Sequence, residues 1–137
     1  MSNEVRLINL PKIQDPRGNL TFLQNQDHFP FDVERVFWTY DVPGGDIRGG
    51  HAYKRQEEII IALSGSFDVI VQDLDSNSAR TFTLNRSYHA LYLPPHTWRH
   101  VENFSTNAVA LHLSSTKFDK DDYIRNIDEL KSIQKNG

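Results

Sequence analysis

The feature that most constrains the fold is a regular succession of short strand-like segments, broken by turn signals such as Pro-Arg-Gly-Asn, Pro-Gly-Gly, Ser-Gly and Pro-Pro. The segments alternate apolar and polar residues, or are rich in β-branched and aromatic ones. A spacing of about 8–12 residues is typical of a β-sandwich or barrel. We therefore predict an all-β jelly roll, whose narrow interior can hold one small ligand. The segments are 5–10, 20–23, 33–40, 58–63, 67–72, 80–84, 88–93 and 108–113.

The C-terminal part has a different pattern. The segment 119–122 (DKDD), with three carboxylates, could open a helix, because carboxylates favour the positive end of its dipole. Apolar residues then recur at near-helical spacing up to Ile133. We predict a single domain, 1–137, with a barrel over about 5–116 and a short C-terminal helix over about 119–134.

Composition narrows the function classes. The net charge of −3 lacks the basic excess of a nucleic-acid-binding protein. The chain has no cysteine, which removes disulfides, thiol catalysis and thiolate metal sites. No apolar run approaches the roughly 20 residues that span a bilayer, and the N-terminus lacks a signal-peptide core. We expect a cytoplasmic protein with neither nucleic acid nor membrane as partner.

The segment GGDIRGGHAYKRQEEIIIALSG has the spacing of a metal-site motif. A His-x-His-x4-Glu run would supply two imidazoles and a carboxylate to a divalent ion. This chain has Gly45, His51, Tyr53, Glu58 and Gly65 at the spacing of the first motif of the cupin jelly rolls. The segment therefore resembles a cupin motif in which tyrosine replaces the second histidine.

The second cupin motif, Pro-x-Gly-x2-His-x3-Asn, is similar to the run from Pro94 to Asn103, with Arg99 at the ligand position. Arginine stays protonated and has no acceptor, so it cannot bind a cation. His100 is one residue out of register, and on a strand it would point to the opposite face. The resemblance thus implies a cupin scaffold with no catalytic metal.

A narrower resemblance covers nearly the whole chain. The segments PFDVERVFWTYDV, RGGHAYK, LSGSFDVIVQD, LYLPPHTWR, NFS and DDYIRN are similar to the sugar-nucleotide 3,4-ketoisomerases. Arg48, His51 and Lys54 fill the motif Arg-Gly-x-His-x-His-Lys of this family, whereas Tyr53 departs from it. Phe37 also departs, since family members often have tyrosine there. The resemblance implies a homodimeric, metal-independent cupin that acts on dTDP-4-keto-6-deoxyglucose in deoxy- and amino-sugar biosynthesis for surface polysaccharide.

Such an isomerase moves a carbonyl from C4 to C3 through an enediol and requires no redox cofactor. The reaction needs a base near pH 7 and a group that steadies an enediolate. His51 suits the base, because imidazole titrates near neutrality. Tyr53 could hydrogen-bond the sugar or relay a proton, but its reference pKa of about 10 makes it a poorer base. Phe37 cannot transfer a proton and is expected in the core or pocket wall.

Cationic and aromatic side chains are the candidate substrate contacts. Guanidinium groups offer paired donors to a diphosphate, and aromatic rings stack on a base or sugar. Arg48 can share a neighbourhood with His51 only if glycines 49 and 50 bend the chain. The candidates are Arg17, Arg35, Arg48, Lys54, Tyr92, Trp98 and Arg99.

Other residues have structural interpretations. Glu58 is expected to hydrogen-bond inside the barrel, and Tyr123 and Arg125 to fix the C-terminal helix to it. Three other functions stay open beside the isomerase: a related 3,5-epimerase, a non-catalytic module that binds a sugar nucleotide, and a metal-dependent cupin.

Overall fold

Residues 4–136, which the computed structural model describes, form short strands, a 3-10 turn and one α-helix. The helix, α1, is Ile127–Asn136, and the 3-10 turn is Lys120–Asp122. The strands are β1 Arg6–Asn9, β2 Lys12–Ile13, β3 Leu20–Thr21, β4 Arg35–Thr39, β5 Arg48–Tyr53, β6 Glu58–Ser64, β7 Phe67–Gln72, β8 Ala79–Leu84, β9 His89–Leu93, β10 Trp98–Glu102, β11 Val109–Ser114 and β12 Tyr123–Ile124.

Two five-stranded antiparallel sheets form the body of the fold. Sheet A has the strand order β1-β9-β6-β11-β4, and sheet B has the order β12-β5-β10-β7-β8. Strands β2 and β3 make a separate hairpin. Neighbours in each sheet are often distant in sequence, as in a jelly roll. The prediction of an all-β jelly roll with a C-terminal helix is confirmed.

The main core lies between the two sheets. Alternation in β7 buries Phe67, Val69 and Val71, which pack on residues of sheet A such as Ile60 and Leu91. Sheet A is also covered on its outer side, where Ile59 and Ile61 pack against the loop residues Phe29 and Phe31. This second cluster explains why β6 is a continuous apolar run rather than an alternating one.

Strands β5 and β10 were not among the predicted strands. The sequence of β5, RGGHAY, contains two glycines, and that of β10, WRHVE, carries three polar residues. Neither has the β-branched, alternating pattern from which strands are predicted. Both strands nevertheless lie in the middle of sheet B, where they pair with each other.

The helix begins at Ile127, later than the predicted start at 119. The acidic residues before it cap the 3-10 turn instead, with the Asp119 side chain accepting from the Asp121 N–H. Strand β12 then pairs with β5, placing Tyr123 opposite Tyr53. The buried Asp122 carboxylate accepts the N–H groups of Arg55 and Gln56, which ties this segment to the barrel and prevents a helix there. No helix of residues 4–136 has the length and apolar character to cross a membrane.

Candidate active site

A cavity of about 450 Å³ opens between the two sheets. Sheet A contributes Phe37 from β4 and His112 from β11. Sheet B contributes His51 from β5, Arg99 from β10 and Tyr123 from the C-terminal strand β12. The cavity is therefore lined by ionisable and aromatic groups from both sheets and from the C-terminal segment.

A bulge in β5 brings Arg48 and His51 into this cavity together. Arg99 lies opposite His51, whereas Val101 lies opposite Arg48, so three steps along β5 match two steps along β10. Gly49 has a φ of +77°, which is a region that glycine enters without strain. In a regular strand, residues three apart would point to opposite faces. The bend expected at glycines 49 and 50 is thus present, and both side chains line the cavity.

His51 sits in an aromatic cluster. Its ring centroid lies 4.8 Å from that of Tyr53 and 5.3 Å from that of Tyr123, and the two tyrosine rings are 4.8 Å apart. Burial, reinforced by the positive charge of Arg99, lowers the pKa of His51 to about 4. The imidazole is therefore neutral at pH 7, the form in which it can accept a proton.

Tyr53 is a poor proton acceptor in this setting. Its side chain is 2% exposed, and burial together with the negative charge of Glu58 raises its pKa well above the usual value. The Arg99 guanidinium lies 4.7 Å from its ring centroid, in a cation–π contact. Tyr53 stays protonated at neutral pH and can only donate or accept hydrogen bonds.

A charged cluster forms the floor of the cavity. The Glu58 carboxylate lies 3.1 Å from Nδ1 of His112 and 3.4 Å from Nη2 of Arg99. Burial opposes ionisation of Glu58, but Arg99 and His112 more than offset it and lower its pKa to about 2. Glu58 is thus a buried, ionised hydrogen-bond partner inside the barrel. Within residues 4–136, no three His, Asp or Glu side chains are grouped to hold a metal ion.

Arg99 has a donor that the protein leaves unused. Its Nη1 donates to the Thr97 carbonyl at 2.9 Å, whereas Nη2 makes no hydrogen bond to any described residue. The side chain is 2% exposed and lines the cavity. Nη2 thus lies 3.4 Å from the Glu58 carboxylate as an ion-pair contact, and its N–H groups are not occupied by a hydrogen bond.

Arg35 is connected to the charged cluster through hydrogen bonds of Gln56. Its Nη2 donates to Oε1 of Gln56 at 2.8 Å, and Gln56 donates to Glu58 at 2.9 Å. The guanidinium lies 4.9 Å from the Phe37 ring centroid and 5.6 Å from that of Phe118. Arg35 was predicted to bind substrate, but it does not line the cavity.

Two predicted substrate-binding residues lie in exposed turns outside the cavity. Arg17 is held by an ion pair with Asp15 in the turn between β2 and β3, where its side chain is 90% exposed. Lys54 is exposed because it follows β5, whose alternation turns its side chain away from His51 and Tyr53. Its backbone N–H donates to the Asp122 carbonyl.

Two predicted aromatic contacts also lie elsewhere. Tyr92 points to the outer side of sheet A, because its neighbours in β9 face the main core. Its hydroxyl donates to Glu57 at 2.6 Å. Trp98 precedes Arg99 in β10 and so faces the opposite side, where it packs against Ala52 and the C-terminal helix.

Among the cavity residues that were not predicted as site residues, His112, Tyr123 and Arg125 carry side chains suited to binding or proton transfer. Tyr123 and Arg125 were assigned to anchoring the C-terminal helix, yet both line the cavity. His112 was not singled out, although it interrupts the apolar run AVALHL. A buried histidine in such a strand is a usable signal, because it needs a hydrogen-bond partner.

Comparisons with known proteins assign the family. The FdtA family model (WxcM-like, C-terminal) matches residues 3–135. A TDP-4-oxo-6-deoxy-α-D-glucose-3,4-oxoisomerase of Aneurinibacillus thermoaerophilus is 36% identical over 128 residues, which cover 93% of this chain and 91% of that protein.

Solved structures agree with this assignment. The sugar 3,4-ketoisomerase QdtA of Thermoanaerobacterium thermosaccharolyticum, in complex with TDP, is 32% identical with a TM-score of 0.91, covering 96% of this chain and 95% of its own. The TDP-quinovose 3,4-ketoisomerase WlaRB of Campylobacter jejuni is 38% identical with a TM-score of 0.85, over 92% and 95% of the two chains. The predicted resemblance is confirmed, and this chain belongs to the FdtA (WxcM-like) family of sugar 3,4-ketoisomerases.

Proposed function

We propose that this protein moves the keto group of TDP-4-keto-6-deoxyglucose from C4 to C3. The observation that carries the proposal is a neutral, half-buried histidine, His51, in a cavity that the Arg99 guanidinium also lines, with an Nη2 that makes no hydrogen bond. A base and an oxyanion donor are the two groups that the reaction needs. The named activities of the relatives supply the substrate class.

In the proposed reaction His51 removes the proton from C3, and the C4 carbonyl becomes the oxygen of an enediolate. The hydroxyl proton passes from O3 to O4, and the same imidazole returns its proton to C4 while the carbonyl forms at C3. No electrons leave the sugar, so the overall change is an isomerisation. The Arg99 guanidinium donates to the enediolate, and Tyr53 adds a hydrogen bond to a sugar oxygen.

A bound substrate should make His51 a stronger base by raising its pKa. A pKa of about 4 makes His51 a weak base, because basicity falls with pKa. The negative charges of a bound diphosphate favour the imidazolium form and raise that pKa. Arg48 and Arg125 line the cavity and are our candidates for holding the diphosphate.

The test is NMR of TDP-4-keto-6-deoxyglucose with the protein in heavy water. The proposal expects a 3-keto product, with any solvent deuterium at C4 of this product and at C3 of the remaining 4-keto sugar. Deuterium at C3 and C5 would instead support a 3,5-epimerase. Heat of TDP binding without exchange of any sugar proton would support a binding module.

We also propose a homodimer, formed through the outer face of sheet A. Val36, Trp38 and Leu63 are 48%, 58% and 51% exposed on this face. The register places Trp38 beside Leu111 and Val36 beside Leu113, so the exposed residues continue an apolar surface. A second copy of the chain would cover it. In light scattering, Trp38→Lys should shift the mass towards a monomer, and an unchanged dimer would refute this interface.

The proposed setting is the cytoplasm, because a charged nucleotide diphosphate does not cross a bilayer unaided. A 3-keto sugar can accept an amino group, which supports a role in making amino sugars for surface polysaccharide. Deletion of the gene should then remove the 3-amino sugar from the polysaccharide, and its persistence would contradict this role.

A further inference from the structure

We propose that His112 is a second proton carrier of the reaction, which moves the hydroxyl proton from O3 to O4 while His51 handles the carbon-bound proton. This inference rests on the proposed isomerase function. The observation behind it is a buried His–carboxylate pair, His112 and Glu58, that lines the same cavity as His51 but comes from the facing sheet.

The partners of His112 determine which ring nitrogen is free. Nδ1 lies 3.1 Å from Oε1 of Glu58, an ionised carboxylate that can only accept. Nδ1 therefore carries a proton and donates a hydrogen bond to Glu58. In the neutral ring the lone pair is then on Nε2. The ring also stacks on Phe37 at 4.5 Å with an interplanar angle of 5°, so its plane is fixed. An imidazole oriented by a carboxylate is a common arrangement for a catalytic base.

The isomerisation moves a hydroxyl proton as well as a carbon-bound one, so a second proton carrier is useful. The substrate has a ketone at C4 and a hydroxyl at C3, and the product has the reverse. Besides the hydrogen that moves from C3 to C4, one proton must therefore leave O3 and one must reach O4. Nε2 of His112 takes the proton from O3 of the enediolate and delivers it to O4, and the ring returns to its starting form. Atoms and charge balance without a co-reactant.

The other polar groups around His112 are less suited to this transfer. Arg99 has no lone pair to accept a proton. Tyr53 stays protonated, because burial raises its pKa. Glu58 is too weak a base, since its pKa lies near 2. His112 is the member of this cluster that has a ring nitrogen with a lone pair to accept a proton while its other nitrogen keeps one.

The test compares two histidine variants, His112→Gln and His100→Gln. Glutamine can still donate to Glu58 but cannot carry a proton between the sugar oxygens. His100 is the matched control, because it forms a similar pair with Glu102, at 2.6 Å, outside the cavity. NMR in heavy water follows two rates in each variant: formation of the 3-keto product, and uptake of deuterium at C3 of the remaining 4-keto sugar.

For His112→Gln we expect product formation to fall by about 10²-fold, a usual contribution of general acid–base catalysis, while deuterium uptake at C3 falls by less than about 10-fold. His100→Gln should match the wild type in both rates. A purely structural role would reduce both rates together, and that result would overturn the inference. Product formation within about 3-fold of the wild type would overturn it too.

A measurement on the wild-type protein covers the case in which the variant fails to fold. NMR of ¹⁵N-labelled histidine should show the His112 proton on Nδ1, and a ring protonated on Nε2 alone would refute the inference. If the wild-type protein takes up no deuterium and forms no product, the proposed function itself fails. Loss of product alone in His112→Gln concerns only His112.

Discussion

Replacing Asp122 with alanine should weaken both the fold and the active site. The carboxylate is 2% exposed and accepts the backbone N–H of Arg55 at 2.8 Å and that of Gln56 at 3.1 Å. These bonds fasten the turn after β5 to the segment that carries Tyr123 into the cavity. Loss of the carboxylate therefore affects the position of a cavity wall.

The size of the effect follows from these bonds. A hydrogen bond to a charged group contributes about 1.5–3 kcal/mol, and two from backbone N–H groups are lost, together with a longer and weaker one from Nε of Arg55 at 3.4 Å. Allowing for water that enters the space, we expect Asp122→Ala to lower the free energy of unfolding by about 3 kcal/mol. For a domain of this size this corresponds to a drop in Tm of roughly 10 °C. Asp122→Asn keeps one acceptor oxygen and should lose about half as much.

Urea unfolding and turnover of the keto sugar measure the two effects. Asp121→Ala is the matched control, because Asp121 is exposed and should change stability by no more than about 0.5 kcal/mol. We expect Asp122→Ala to reduce turnover of the folded protein as well. If Asp122→Ala is as stable and as active as Asp121→Ala, the hydrogen bonds of the Asp122 carboxylate stabilise neither the fold nor the site, and the prediction is wrong.

Two further predictions concern stability. Gly65 has a φ of +65°, and a Cβ there would lie 2.5 Å from Oγ of Ser105 and 2.8 Å from Cα of Ala108. Gly65→Ala should therefore lower the free energy of unfolding, measured with urea, by more than about 2 kcal/mol. Gly44→Ala, which meets no atom within 4 Å, is its control, and equal stability of the two variants would contradict this reading. The pKa of His51 falls from 6.5 to about 4 on folding. Its contribution to the free energy of unfolding is therefore complete above pH 6.5, and roughly 3 kcal/mol is lost as the pH falls from 6.5 to 4. His51→Ala should lose less stability than the wild type across that interval, and identical pH slopes would argue against the lowered pKa.

Local patterns were sufficient for most of the fold. Strand β7 coincides with the predicted segment 67–72, because its alternation reflects one buried face. Strand β5 could not be predicted in the same way, because a bulge at Gly49 interrupts its period. The helix start was misplaced because the acidic run before it caps a turn and supplies a buried carboxylate, Asp122, whose partners are distant in sequence.

Some residues of the candidate site were predictable from the sequence, and others were not. Motif spacing was enough to select His51, Tyr53 and Arg99, which meet because β5 pairs with β10. His112 comes from the facing sheet, and its place opposite His51 depends on how the two sheets pack. Lys54 matched the family motif, but the direction of its side chain is set by the end of the strand, which the motif does not encode.

The most direct test of the account follows the ketone carbon itself. With TDP-4-keto-6-deoxyglucose labelled with ¹³C at C4, the wild-type protein should convert the labelled ketone signal into that of a carbon bearing hydroxyl and hydrogen, as the carbonyl moves to C3. His51→Ala should bind TDP as tightly as the wild type but leave the label as a ketone, with a rate loss of at least about 10²-fold. Continued conversion by His51→Ala at the wild-type rate would contradict the central claim that His51 is the base.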